Sequence, residues 1–200
     1  MKFPEFEGFI AQDIELNPQW IPENYNGRNY NTAVVKQTYL YPQRSGKITI
    51  ESGKFDANIR VRTQKQVRSF FDDFFDSYQD VRKEITSPPV TIDVKPLPSG
   101  KPASFSGAVG NFTMNATINS NHVKTNEAVT VKVTINGSGN IKLLKNPEVV
   151  FPNDFEVYDP KPEINIKTTT AGTSGTRTIE YMAIPRYAGD FEIPAVQFSY

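Results

Sequence analysis

Residues 4–55 of the chain recur, without a gap, at residues 147–198. A constant offset of 143 returns Pro4 and Glu5 as Pro147 and Glu148, Ile14 as Val157, Pro42 as Pro185, Gly46 as Gly189, Ile50 as Ile193 and Phe55 as Phe198. A repeat of this length means that one folding unit is present twice, so function has to be argued for an array of modules. The second copy has about forty residues ahead of Pro147, from about Ser104, whereas the first has almost nothing ahead of Pro4. The expected organisation is the rear part of a first module over 1–98, a short linker at 99–103 and a complete module over 104–200, as in a piece of a longer tandem array.

The punctuation between apolar runs sets the class of fold. Fifteen prolines and twelve glycines fall between short strand-like segments, as they do in all-β proteins with many turns. In the second module 128–135 alternates Val129, Val131, Val133 and Ile135 with Thr130, Lys132 and Thr134, which puts one face in a core and the other in water. Further strands are expected at 109–118, at 155–157, around Ile164 to Ile166, at 178–184 and at 191–200, the last with a bulge near Pro194. Gly137-Ser-Gly139 reads as a turn and Gly172-Thr-Ser-Gly175 as a hairpin. About seven strands in about a hundred residues is the pattern of an immunoglobulin-like β-sandwich, and tandem copies of it are the expected fold. In the first module, 31–40, 47–55 and 90–94 are the corresponding strands.

The first module also carries an insertion that the repeat does not contain. Its apolar residues Val67, Phe70, Phe71, Phe74, Phe75, Tyr78, Val81 and Ile85 follow helical spacing, with Asp72, Asp73, Asp76 and Asp80 on the other side. A helix over 66–85 is expected, stopped by Ser87-Pro88-Pro89. An exposed stripe of Phe70, Phe71, Phe74, Phe75 and Tyr78 is the candidate partner contact.

Charge and residue counts exclude several chemistries. Twenty-two basic and twenty-two acidic residues cancel, leaving no general field to gather nucleic acid. With no cysteine and one histidine there is no thiol chemistry, no disulfide and no His/Cys metal cluster. His122 lies in a polar stretch that reads as a solvated loop, and no nucleophile elbow accompanies it. Asp154, Glu156 and Asp159 read as outward-facing strand carboxylates, and Asp72, Asp73 and Asp76 lack the spacing of a calcium loop. No cofactor, metal or catalytic residue is expected. Neither a signal peptide nor an apolar run of about eighteen residues is present.

Several stretches together resemble the oxygen-tolerance (BatD) family of bacterial envelope proteins. They are Tyr41-Pro-Gln-Arg-Ser-Gly, Val94-Lys-Pro-Leu-Pro98, Phe105-Ser-Gly-Ala-Val-Gly110, Phe151-Pro-Asn-Asp-Phe-Glu-Val-Tyr-Asp-Pro160 and Ile184-Pro-Arg-Tyr-Ala-Gly-Asp-Phe-Glu-Ile-Pro194. The resemblance implies tandem immunoglobulin-like domains on the periplasmic side of the inner membrane, in a membrane-anchored protein. It also implies partners among von Willebrand A-domain and tetratricopeptide-repeat proteins. The leading expectation is a non-catalytic scaffold of a Bat-type aerotolerance complex. The alternative is a carbohydrate-binding module, for which exposed aromatics near Trp20, Tyr25 and Tyr30 are the place to look.

Overall fold

The computed structural model describes residues 2–62 and 78–200, and over them the chain is all-β. It divides into two compact units, one of residues 1–11 and 40–97 and the other of residues 12–39 and 98–200. One cut falls between Leu97 and Pro98, ahead of the linker expected at 99–103, and residues 12–39, expected with the first module, group with the second unit.

The second module is built on one five-stranded antiparallel sheet. Strands β9 (Gly110–Ile118), β10 (Val129–Gly139), β11 (Phe155–Val157), β12 (Lys161–Thr169) and β13 (Gly172–Pro185) run in the order β11-β13-β10-β9, with β12 also on β13. The alternation of β10 is realised as read: Val129, Val131, Val133 and Ile135 are buried, and Val133 stands opposite Ile179 in the register with β13. The core around them holds Ala108, Phe112, Ile141, Leu144, Ile179 and Tyr181. Val133, Ile135, Ile141 and Ile179 have no exposed surface.

A sandwich of two full sheets is not what closes this core. Ile193, Val196 and Phe198 pack against it from a segment that forms no ladder, tied near its end by the parallel bridge between Phe105 and Ser199 and by hydrogen bonds of Ser199 with Ser104 and Ser106. The expected strand at 191–200, with its bulge near Pro194, is thus replaced by packed but unpaired chain. Gly137 and Gly139 are not a turn either; they continue β10, opposite Gly175 of β13 and Gly110 of β9 respectively. At the second of these contacts a side chain has no room. A Cβ on Gly110, whose φ is +148°, would stand 2.1 Å from the Ser138 carbonyl oxygen, so the strands approach there only because both residues are glycine. The chain reverses later, through a 3-10 turn at Ile141–Leu143. Likewise Gly172 and Gly175 lie within β13, and the hairpin turn connects Thr169 to Gly172.

Ahead of residue 98 most strands are five residues long. β1 (Phe9–Asp13) pairs β4 (Thr38–Pro42), β2 (Ile21–Tyr25) pairs β3 (Arg28–Thr32), and β5 (Gly46–Ile50) pairs β8 (Val90–Val94). The single strand expected over 31–40 is broken into β3 and β4. Between β5 and β8 comes the insertion. It is entered by β6 (Lys54–Arg62) and left by β7 (Tyr78–Thr86), which form a nine-residue antiparallel ribbon from Lys54↔Thr86 to Arg62↔Tyr78. The helix expected over 66–85 is therefore overturned from Tyr78 onward. Its residues 66–77, with Phe70, Phe71, Phe74 and Phe75, lie outside the described residues. The spacing misled because Val81 and Ile85, four apart, share a face in a strand as well as in a helix. Among the described residues no helix is long and apolar enough to cross a membrane.

Candidate partner-binding surface

The ribbon β6–β7 has two chemically opposite faces. Asp56, Asn58 and Arg60 on β6 face Asp80, Arg82 and Glu84 on β7, and this face is laced by charge. Arg60 meets Asp80 at 3.0 Å, and Arg82 meets Asp56, its diagonal neighbour, at 3.1 Å. The Arg82 hydrogen bond, reinforced by its charge, holds the Asp56 carboxyl below the usual carboxylate range. On the other face, Phe55 stands opposite Ile85 and Ile59 opposite Val81. Phe55 is anchored edge-on against Phe3 at 5.5 Å, whereas Ile59, Val61, Val81 and Ile85 are exposed. Tyr78, one of the expected contact residues, opens β7; the other four lie outside the described residues.

The hairpin β2–β3 carries the aromatics expected of a sugar platform. Trp20 is 76% exposed, and Tyr25 and Tyr30 are exposed as well. Tyr25 stands opposite Arg28 and Tyr30 opposite Glu23, so the two tyrosines share one face of the hairpin on a diagonal. Trp20 precedes the strand by one residue and has the opposite parity, so the three rings do not form one row. The turn between the strands is made by Asn26 and Gly27, both at positive φ, with the Asn24 side chain accepting from the Gly27 amide at 3.2 Å.

Beneath the core of the second module, two side chains of β13 hold the loop that leads into the repeat. Arg177, 8% exposed, donates to the Asn146 side-chain oxygen at 2.6 Å and to the Lys142 carbonyl at 3.4 Å, and its Nε has no partner. Burial lowers the Arg177 pKa from its ordinary value and raises that of Tyr181. The Tyr181 hydroxyl donates to the Pro147 carbonyl. These bonds keep the chain from Lys142 to Pro147 against the sheet. The sequence reading missed the pair because a lone Arg in a β-run looks like a wet-face residue, and only the register Ile135↔Arg177 shows that it points inward.

Two of the remaining candidates have local partners. Glu156 accepts from the Tyr158 hydroxyl at 2.8 Å and is paired with Arg186. His122 is exposed in a loop, where Ser120 bonds its main chain. Among the described residues no group of three or more His, Cys, Asp or Glu is placed to hold a metal ion.

These features define an all-β, modular protein with exposed apolar and aromatic β-hairpins. The comparison with known families then gives the relationship: residues 116–200 match the family model described as the BatD DUF11 like domain. The resemblance to BatD seen in the motifs is thus borne out over β10 to β13 and the segment that follows. No curated protein and no solved structure matches the chain.

Proposed function

We propose that the protein is a non-catalytic scaffold of a Bat-type, aerotolerance-related envelope complex. In this reading tandem all-β modules on the periplasmic side of the inner membrane hold partner proteins. The observation that carries the reading is the match of residues 116–200 to the BatD DUF11-like model. The amphipathic ribbon β6–β7 supports it, because a two-stranded ribbon with an unshielded apolar face gains stability from a surface laid against it. The partners are envelope proteins with von Willebrand A domains or tetratricopeptide repeats. No cofactor, metal ion or nucleic acid enters this function. The test is a pull-down from bacterial envelope extract, comparing wild type with Ile59→Asp/Val81→Asp and reading by mass spectrometry. Recovery of von Willebrand A-domain or repeat proteins by wild type alone is expected. Recovery no greater than from bait-free resin overturns the reading.

A second reading rests on the exposed Tyr25 and Tyr30: a carbohydrate-binding module of an envelope protein. Trp20 is the sole tryptophan and lies next to β2, so it reports directly. Saturable quenching by glycan fragments, lost in Tyr25→Ala/Tyr30→Ala, would favour this reading over the scaffold.

A further inference from the structure

The two copies of the repeat differ in what becomes of one segment. In the first, Gly46–Ile50 is strand β5 and pairs antiparallel with β8, placing Gly46, Ile48 and Ile50 opposite Val94, Ile92 and Val90. Ile48 is 2% exposed in this arrangement. The offset of 143 carries these positions to Gly189, Phe191 and Ile193. In the second copy the side chains are already in place. Phe191 packs edge-on against Phe155 at 5.1 Å, Ile193 packs against the core, and Asp190 and Glu192 point to solvent. The backbone is not in place in the same sense. Among the described residues no hydrogen bond reaches the main chain of residues 189–193, and no strand is paired with them. Extended backbone held by its side chains with its amides and carbonyls unused is an acceptor for an added strand.

The outward residues say which strand. In the first copy Lys47 faces Asp93 and Thr49 faces Thr91. The equivalents in the second copy are Asp190 and Glu192, so the edge presents two carboxylates where the first presents a cation and a hydroxyl. A β8 strand from another copy of this chain would set Asp93 against Asp190, a like-charge pair across the ladder. We propose that residues 189–193 form a strand-accepting edge filled by an antiparallel segment of a partner protein in which Val or Ile alternates with Lys or Arg. The apolar residues lie opposite Gly189, Phe191 and Ile193, and the basic ones opposite Asp190 and Glu192. This goes beyond the scaffold reading and stands apart from it, since it rests on backbone pairing and the internal repeat alone.

Two synthetic peptides test it against the whole chain. One has the sequence of residues 88–95, Pro-Pro-Val-Thr-Ile-Asp-Val-Lys; the other replaces its Thr and Asp with Lys. Amide exchange by NMR and calorimetric titration are the readouts. The lysine peptide is expected to slow exchange at residues 189–193 and leave β5 unchanged, and to bind roughly 2- to 30-fold more tightly than the natural-sequence peptide, the range set by two cross-strand charge pairs. The double variant Asp190→Lys/Glu192→Lys, altered only at exposed positions, is expected to reverse that order. Unchanged exchange at 189–193 overturns the proposal, and so does equal binding of both peptides. Protection of these amides in the free chain through a concentration-dependent dimer also overturns it, by making a second copy the occupant.

Discussion

The offset of 143 sets residues 29–42 beside residues 172–185, and the two stretches do not fold alike. The second forms one fourteen-residue strand, β13; the first is split into β3 and β4, with residues 33–37 outside any ladder. Local propensity does not explain this, since Ala33-Val-Val35 is as suited to a strand as any part of β13. Partners explain it. β13 has β10 along one side and β12 and β11 in succession along the other, so nearly every residue is paired. In the first copy no described strand takes the place of β10. Val34 and Val35 are exposed there, where the second copy has buried Arg177 and half-buried Thr178. In these two stretches the strand is thus as long as its neighbours make it.

The largest expected effect is on the partner strand that makes the difference. Ile135→Ala removes a fully buried side chain of β10 and should destabilise the second unit by about 2–5 kcal/mol. Amide exchange should then quicken across β13 while β5 and β8 keep their protection. Equal loss in both units would break the comparison. Next comes Gly110→Ala, which forces a Cβ towards the Ser138 carbonyl at a backbone angle that L-residues avoid. About 1–3 kcal/mol is expected, read by urea denaturation. A smaller effect, about 1 kcal/mol, is expected for Tyr181→Phe, which leaves the Pro147 carbonyl without its hydroxyl donor; Thr38 holds the equivalent place in the first copy and Thr38→Val there should be milder.

The smallest effect is electrostatic. Asp13 is held below the ordinary carboxylate range first by the Thr38 hydroxyl and then by Lys36, and Asp56 by Arg82. Groups with a depressed folded pKa stabilise above their unfolded value, and that contribution fades as pH falls below about 4. Thermal melts should show wild type losing its small advantage over Asp13→Asn and Asp56→Asn in that range, and losing it at high salt too, because both carboxylates are exposed.

Much of this fold was legible in the residues because burial and periodicity agreed. The alternation of 129–135 gave β10, Val90–Val94 was read with its observed bounds, and the repeat showed that the insertion lies outside the shared module. The ribbon was lost where two periods coincide: Val81 and Ile85 satisfy a helix turn and a strand face equally, and the adjoining Phe pattern tipped the reading. The decisive signal was the alternation of Phe55, Ala57, Ile59 and Val61, which needs a partner of the same length at 78–86. The glycines misled for a different reason. Gly137, Gly139 and Gly175 mark close approach of strands and not a change of direction, a distinction that only register reveals. The candidate edge at 189–193 was hidden altogether, because a sequence shows which residues are able to pair and not which are left unpaired.

Pro194 follows that edge directly, and a proline has no amide hydrogen to offer. A ladder built on residues 189–193 receives no amide hydrogen from residue 194, on a surface whose alternate positions are negatively charged. An edge of neutral positions would accept copies of itself and grow; this one carries a sign. In the first copy the equivalent place is taken by β8 of the same chain, so the proposed edge of the second copy is the one that takes a strand from outside.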